Sequence, residues 1–165
     1  MKRPDPYISI IIPCYNRASF LEKTIPEILN LDYPDYEVIV VDDGSTDNTG
    51  AIFDKIKAPN LSYFKKRNEE RAAARNYGAE RAKGDYITFL DSDDQLYPQA
   101  LKYAAAALKE KDYPAFFHIA YDIGTETEVA KSVNDIKDND PLLFIKGNPL
   151  SCIGVFIEKR RFPTS

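Results

Sequence analysis

Short β-branched runs alternate with helix-patterned stretches along most of this chain, and that alternation leaves few folds open. Ile8 to Ile12 reads as a buried strand stopped by Pro13. Ser19-x-x-Glu22 has the spacing of a capping box and predicts a helix through Leu29, kinked or split at Pro26. Tyr36 to Val41 is a second strand, followed by a helix entered through Asp47 and Thr49 and running to Lys57. Leu61 to Lys65 is a weaker third strand. The alanine content of Glu70 to Lys83 predicts a helix with Gly84 as its stop. Tyr86 to Leu90 is a fourth strand, Pro98 opens a helix to Lys111, and Ala115 to Tyr121 is a fifth strand. Thr125 to Asp140 is polar and aperiodic and reads as a loop, with a short helix at Leu142 to Lys146 and a strand at Cys152 to Ile157 after it. This order predicts an α/β fold, a mostly parallel sheet with helices on both faces. The 165 residues have room for one domain around one sizeable core.

Two of the strands end in acid. Tyr86-Ile87-Thr88-Phe89-Leu90 runs into Asp91-Ser92-Asp93-Asp94, three carboxylates within four positions. Carboxylates that close raise each other's pKa unless a cation sits among them, so the cluster suggests a site for a hard divalent metal. Val38-Ile39-Val40-Val41 likewise runs into Asp42-Asp43-Gly44-Ser45. In open α/β sheets ligands bind beyond the carboxyl ends of the strands, and parallel strands bring these ends, with Pro13-Cys14-Tyr15-Asn16-Arg17, to one edge. No G-x-G-x-x-G or G-x-x-x-x-G-K-[ST] is present, so a phosphate ligand in such an acidic crevice calls for a metal bridge. A divalent ion held by Asp93, with Asp91 or Asp94 helping, suits two phosphate oxygens and a departing diphosphate. Tyr15 is placed to flank a base, and Asp43 or Asp42 to accept from a base N–H or a ribose hydroxyl.

The formal net charge of −4 supplies no basic face for nucleic acid. The tight basic group Lys159-Arg160-Arg161 reads as a solvated tail, with membrane-surface contact as the lesser option. Cys14 and Cys152 have no metal-site spacing and read as two reduced thiols. The polar start Met1-Lys2-Arg3-Pro4-Asp5-Pro6 is not that of a signal peptide, and no apolar stretch is long enough to span a bilayer. The expectation is a cytoplasmic domain, with peripheral contact at the inner face of the membrane left open.

Four blocks then resemble a known family in their order and spacing. They are Ile11-Ile12-Pro13-Cys14-Tyr15-Asn16, Val40-Val41-Asp42-Asp43-Gly44-Ser45-Thr46-Asp47, Ala74-Arg75-Asn76-Tyr77-Gly78 and Phe89-Leu90-Asp91-Ser92-Asp93-Asp94. They look like the successive blocks of family 2 glycosyltransferases, which have the A-type nucleotide-diphospho-sugar transferase (GT-A) fold. The resemblance implies an inverting transferase that uses a nucleotide-diphospho-sugar, commonly a UDP-sugar, with Mg²⁺ or Mn²⁺, and passes the sugar to a saccharide or lipid-linked acceptor in polysaccharide or cell-wall synthesis. It implies that Pro13, Tyr15 and Asn16 line the nucleotide pocket and that Asp43, with Asp42 beside it, meets the base or ribose. Arg71 would lie near the base, and Asp91 and Asp93 would be the ends of the D-x-D element, with Asp93 the main metal ligand. Glu70 stands where many members carry glycine. Members usually continue to an acidic general base, which is expected here downstream of Ser165. The chain then reads as one glycosyltransferase domain over 1–165, incomplete at its C-terminus, with a donor-binding part over about 7–124.

Plainer readings compete at each position. Asp42-Asp43-Gly44-Ser45 alone suits a turn with capping aspartates, and the Asp91 cluster alone suits a solvated loop. Tyr15 suits a core or rim ring, and Arg71 and Arg75 suit surface pairs with Glu70 and Glu80. Asn76 and Gly78 suit helix packing, and His118 a structural strand histidine. Two rival functions follow. Phe89-Leu90-Asp91-Ser92-Asp93 has the shape of a phosphatase nucleophile motif with Asp91 attacking phosphorus, although it follows the fourth strand rather than the first. A non-catalytic nucleotide-sugar-binding fragment is the other.

Overall fold

The structure is a computed structural model that describes residues 5–110, 116–118 and 155–161. The loop expected at Thr125 to Asp140 and the helix expected at Leu142 to Lys146 lie outside the described residues, as do Asp122, Asp138 and Asp140. Strands β1 (Ile8–Cys14), β2 (Tyr36–Asp42), β3 (Leu61–Lys65) and β4 (Tyr86–Phe89) alternate with helices α1 (Ala18–Leu29), α2 (Thr49–Lys55) and α3 (Glu70–Arg81). Helix α4 (Ala100–Glu110) and strands β5 (Phe116–His118) and β6 (Val155–Glu158) follow. The sheet order is β3-β2-β1-β4-β6-β5. The first four strands are parallel, and β6 runs antiparallel to both of its neighbours. The mostly parallel α/β sheet read from the sequence is therefore present.

Strands β1 and β2 are buried along their whole length, as expected of a parallel sheet covered on both faces. Side chains alternate between two cores. Ile8, Ile10, Ile12, Val38 and Val40 face Leu21, Ile25 and Ile28 of α1, Phe53 of α2 and Leu101 and Ala104 of α4. Ile11, Ile39, Val41 and Ile87 face Ala74 and Ala79 of α3. Helix α3 is alanine-rich because it lies close to the sheet. A Cβ added at Gly78 would stand 2.5 Å from Ile11 Cγ2. Gly78 thus serves helix packing, whereas Asn76 lies on the exposed side of α3.

Several local expectations change. Helix α1 starts after Arg17, and no side chain caps it from that position, so the Ser19–Glu22 box is not formed. The free amide of Ala18 instead donates to Asp47 Oδ2 at 3.2 Å, from the loop after β2. Asp47 Oδ1 also accepts from the Thr49 amide at 3.0 Å and its hydroxyl at 2.5 Å. One carboxylate therefore caps two helices. Burial pushes its carboxyl upward, but the hydrogen bonds from Thr49 and Ala18 outweigh it and hold the group below its ordinary range. Asp47→Ala is expected to cost about 1–2 kcal/mol, the usual loss for a removed N-cap, read as a lowered urea midpoint with unchanged slope.

Pro26 sits inside an unbroken α1. Helix α4 begins at Ala100, two residues after Pro98. Lys159-Arg160-Arg161 is a 3-10 turn closing β6 rather than a solvated tail. The Lys159 amide donates to Asp85 O at 2.9 Å, and its ammonium meets the Ala82 carbonyl.

Candidate functional site

The strand order reverses around β1. The chain steps outward from β1 to β2 to β3, then crosses to β4 on the other side of β1. Such a switch point opens a crevice beyond the carboxyl ends of the strands. Register fixes what stands there. Cys14 pairs with Asp42, Asp42 with Lys65, and Ile11 with Phe89. The Leu90 amide continues the β1–β4 ladder to Ile11 O at 3.0 Å, which brings Asp91 level with Pro13.

A cavity of about 310 Å³ lies at this edge. Pro13, Cys14, Tyr15 and Arg17 line it from the loop after β1, and Asp43 from the loop after β2. Asn68, Glu70, Arg71 and Ala74 come from the entry to α3, and Asp91, Ser92 and Asp93 from the loop after β4. Asp43 and Asp93 thus share one cavity. Of the residues expected to contact a nucleotide or metal, Pro13, Tyr15, Asp43, Arg71, Asp91 and Asp93 line it, and Asn16 and Asp42 do not.

Asn16 and Asp42 are engaged with other residues instead. Asn16 Oδ1 accepts from the Thr46 amide at 2.8 Å and from the Asp47 amide at 3.3 Å, which ties the loop after β1 to the loop after β2. Its backbone is left-handed, φ 53°, a conformation Asn tolerates better than most residues. Asp42 is fully buried. Its Oδ1 accepts from the Ser45 amide at 2.7 Å, and its Oδ2 from the Tyr63 hydroxyl at 2.5 Å. That hydrogen bond, after burial, raises the Tyr63 phenol.

Asp43 is held differently. Its Oδ1 accepts from Lys66 Nζ at 2.9 Å and from the Glu69 amide at 3.1 Å. Its Oδ2 accepts no hydrogen bond among the described residues. Gly44 (φ 82°) lets this loop meet the next one, since a Cβ there would stand 2.9 Å from the Asn68 amide nitrogen. Cys14 beside it is a buried thiol pushed up to about 12, by burial first and then by the charges of Asp42, Asp47 and Asp43. The thiol is therefore no nucleophile at neutral pH.

At the other end, the four-residue spacing of Arg71 and Arg75 turns both toward Asp91. Arg75 Nη2 donates to Asp91 Oδ1 at 2.7 Å, and Arg71 Nη1 lies 3.8 Å from Asp91 Oδ2. Arg75 is thus paired with Asp91, not with Glu80 as a surface reading has it. Its guanidinium stacks 5.7 Å from the Phe89 ring, and its buried Nε has no hydrogen-bond partner among the described residues. Arg71 is two-thirds exposed. Asp93 is exposed, and its carboxylate accepts no hydrogen bond among the described residues. The Asp94 carboxyl is raised by burial and then by the charges of Asp91 and Asp93, so the cluster carries the mutual repulsion that a cation would relieve.

Glu70 has φ 76°, so a carboxylate-bearing residue holds the left-handed conformation that glycine adopts freely. Asn16, in the loop after β1, and Glu70, at the first position of α3, are the non-glycine residues with positive φ among the described ones. Left-handed backbone at non-glycine residues gathers at ligand sites.

Among the described residues no three His, Cys, Asp or Glu side chains form a ready metal cage. The donor set fits a smaller demand. Mg²⁺ is usually held by one or two carboxylates and completes its shell with substrate phosphates and water, and Asp93 with Asp91 meets that requirement. Lys66, Arg75 and Asn68 were not singled out as site residues by sequence reasoning. Lys66 carries no local signal, because what it touches is set by the β2–β3 pairing.

Residues 9–157 match the family described as Glycosyl transferase family 2. The chain belongs to this family. A glycosyltransferase of Haemophilus influenzae, described as uncharacterized, is 37% identical over 173 residues, covering 96% of this chain and 66% of the relative. The structure of Staphylococcus aureus TarS 1–349 in complex with UDP-GlcNAc is similar with a TM-score of 0.67 and 30% identity, over 75% of this chain and 37% of that one. The mannosyltransferase PcManGT of Pyrobaculum calidifontis, in complex with GDP-Man and Mn²⁺, is similar with a TM-score of 0.60 and 28% identity, over 68% of this chain and 35% of that one. The family 2 chain therefore has the GT-A architecture, and it spans less than two thirds of the length of these proteins. Family membership removes the phosphatase reading of Asp91. No helix among the described residues is long and apolar enough to cross a membrane.

Proposed function

We propose that this family 2 chain is the donor-binding part of an inverting glycosyltransferase that uses a nucleotide-diphospho-sugar, a UDP-sugar in the first instance. The observation that carries the reading is the single cavity shared by Asp43 and Asp93 at the carboxyl edge of the parallel strands. The complex of the TarS neighbour with UDP-GlcNAc supports a UDP-sugar, and that of PcManGT with Mn²⁺ supports a divalent ion.

Each side chain has a task in this reading. Tyr15, about half exposed over the cavity, offers a ring face for the base. Pro13 gives the floor an apolar wall without a backbone donor. Asp43 accepts from the base through its free oxygen, and Arg71 is long and exposed enough to reach the base or the diphosphate. Asp93 is the metal ligand, and Asp91, fixed by Arg75, completes the D-x-D element from the side. Bound there, Mg²⁺ or Mn²⁺ would supply electrostatic stabilisation for charge growing on the departing diphosphate. Inversion requires the acceptor oxygen to attack the anomeric carbon from the face opposite that diphosphate. It also requires a general base within hydrogen-bond reach of the acceptor hydroxyl, which we place beyond residue 165. The acceptor in this reading is a saccharide or a lipid-linked saccharide of cell-wall polysaccharide synthesis, met in the cytoplasm at the inner membrane face.

A thermal-shift and calorimetry screen of UDP, GDP and dTDP, with and without Mn²⁺, tests the reading. The expected result is a raised midpoint that needs both nucleotide and metal, by about 2.7 kcal/mol of added stability at a hundredfold excess over Kd. No shift with any of the three sinks the proposal.

A further inference from the structure

We propose that Lys66 is a positioning residue for base recognition, which locks Asp43 as a one-oxygen acceptor and so selects nucleobases that present a ring N–H. This rests on the nucleotide-sugar reading above and deepens it.

The contacts around Asp43 are unequal. Lys66 Nζ donates to Asp43 Oδ1 at 2.9 Å, to Glu69 Oε2 at 2.6 Å and to the Arg67 carbonyl at 2.8 Å. All three of its protons are therefore used. Its side chain is 9% exposed and that of Asp43 6%. The Glu69 amide adds a second donor to the same Oδ1, and the Lys66 amide donates to Asp42 O at 2.9 Å, so the loop is fixed at its backbone too. Oδ1 thereby takes two donors and is saturated. Oδ2 has no partner among the described residues, and Asp43 lines the cavity.

A carboxylate that takes both an ammonium and an amide on one oxygen offers the other oxygen as an acceptor. Lys66 holds its own proton: burial pulls its pKa down, but hydrogen bonds to Glu69 and Asp43 outweigh that and raise it. The group facing the base is then an acceptor. Uracil and thymine present N3–H to it, and guanine presents N1–H. Cytosine and adenine present a bare ring nitrogen, and two acceptors facing one another are penalised. The partners of the Lys66 ammonium are Asp43, Glu69 and the Arg67 carbonyl, none of them assigned to the metal.

The test compares UDP with N3-methyl-UDP, in which a methyl group replaces the proton in question, by calorimetry in Mn²⁺. Wild-type protein should bind UDP about tenfold or more tightly than the methyl compound, the usual worth of a hydrogen bond to a charged group. In Lys66→Met, which keeps the aliphatic stem, that ratio should fall towards one, through loss of UDP affinity with methyl-UDP binding little changed. A merely structural role predicts that both ligands weaken together with the ratio intact, and that result overturns the inference. Should the methionine variant fail to fold, Lys66→Leu carries the same ratio test. If GDP binds and UDP does not, N1-methyl-GDP replaces N3-methyl-UDP. Wild-type protein that binds none of these nucleotides defeats the donor reading itself, whereas wild-type binding with an unchanged ratio in the variant defeats only the part given to Lys66.

Discussion

Asp93→Ala is expected to abolish the divalent-dependent part of nucleotide diphosphate binding, a loss of about a hundredfold or more. A cation clamped between protein and phosphate oxygens contributes several kcal/mol, and each 1.4 kcal/mol is about a factor of ten. The variant separates ligand binding from folding cleanly. The Asp93 side chain is exposed and accepts no hydrogen bond among the described residues, so its removal should leave stability within about 0.5 kcal/mol. Asp91→Ala offers a contrast. It would strand Arg75, whose Nε already lacks a partner among the described residues, and should therefore lower stability as well as binding. Titration with UDP and Mn²⁺, repeated after chelation, reads both. Chelated wild-type protein should resemble Asp93→Ala in Mn²⁺, and undiminished metal-dependent binding by the variant would refute the assignment of Asp93.

The largest loss of stability is expected at the opposite end of the sheet, from Gly84→Ala. A Cβ there would stand 2.7 Å from the Ser9 amide nitrogen and 2.8 Å from the Tyr7 carbonyl. Both are backbone atoms at the start of β1, so no side-chain rotation relieves the clash. The Gly84 amide also donates to the buried Ser9 Oγ at 2.9 Å, and Ser9 donates to Glu37 Oε1 at 2.7 Å. Glu37 Oε1 in turn accepts from the Lys83 amide. Moving Gly84 aside would break this buried network as well. Overpacking of this kind costs about 1–3 kcal/mol, and the lost hydrogen bonds add about 1 kcal/mol each. For a chain of this size the midpoint should fall by roughly 6–12 °C. A fall under about 2 °C would show that the β1–β4 junction yields more readily than its contacts imply.

Gly84 also shows where sequence reasoning reached its limit. A glycine after a helical stretch suggests a left-handed stop, but α3 ends at Arg81 with Ala82 as an extended C-cap, and Gly84 is required by proximity to a strand far away in sequence. The same limit appears at Ser19–Glu22, where a local capping pattern was present and the capping carboxylate came from Asp47 across the fold. Strands β1, β2 and β4 were legible because β-branched runs flanked by Pro or Asp have few other uses. So was the gathering of Asp43, Asp91 and Asp93 at one edge, since parallel pairing leaves no alternative. Which of two adjacent aspartates faces the cavity was not legible. Asp42 and Asp43 differ only in strand phase, and phase is set by pairing with Cys14 and Lys65. The engagement of Asn16 with Thr46 and Asp47 was hidden likewise, because its partners lie in another loop.

The place of β6 carries a consequence for how the chain is made. It joins β4 to β5 and pairs Tyr86 with Glu158 and Thr88 with Phe156. Until residue 158 has left the ribosome, one side of β4 has no neighbour, although the first four strands and four helices are already synthesised. A nascent polypeptide in that state exposes an open ladder of amides and carbonyls next to apolar side chains, the arrangement through which strands of separate molecules associate. Demand for a holding chaperone should therefore peak in the interval between emergence of the acidic loop and arrival of the one reversed strand.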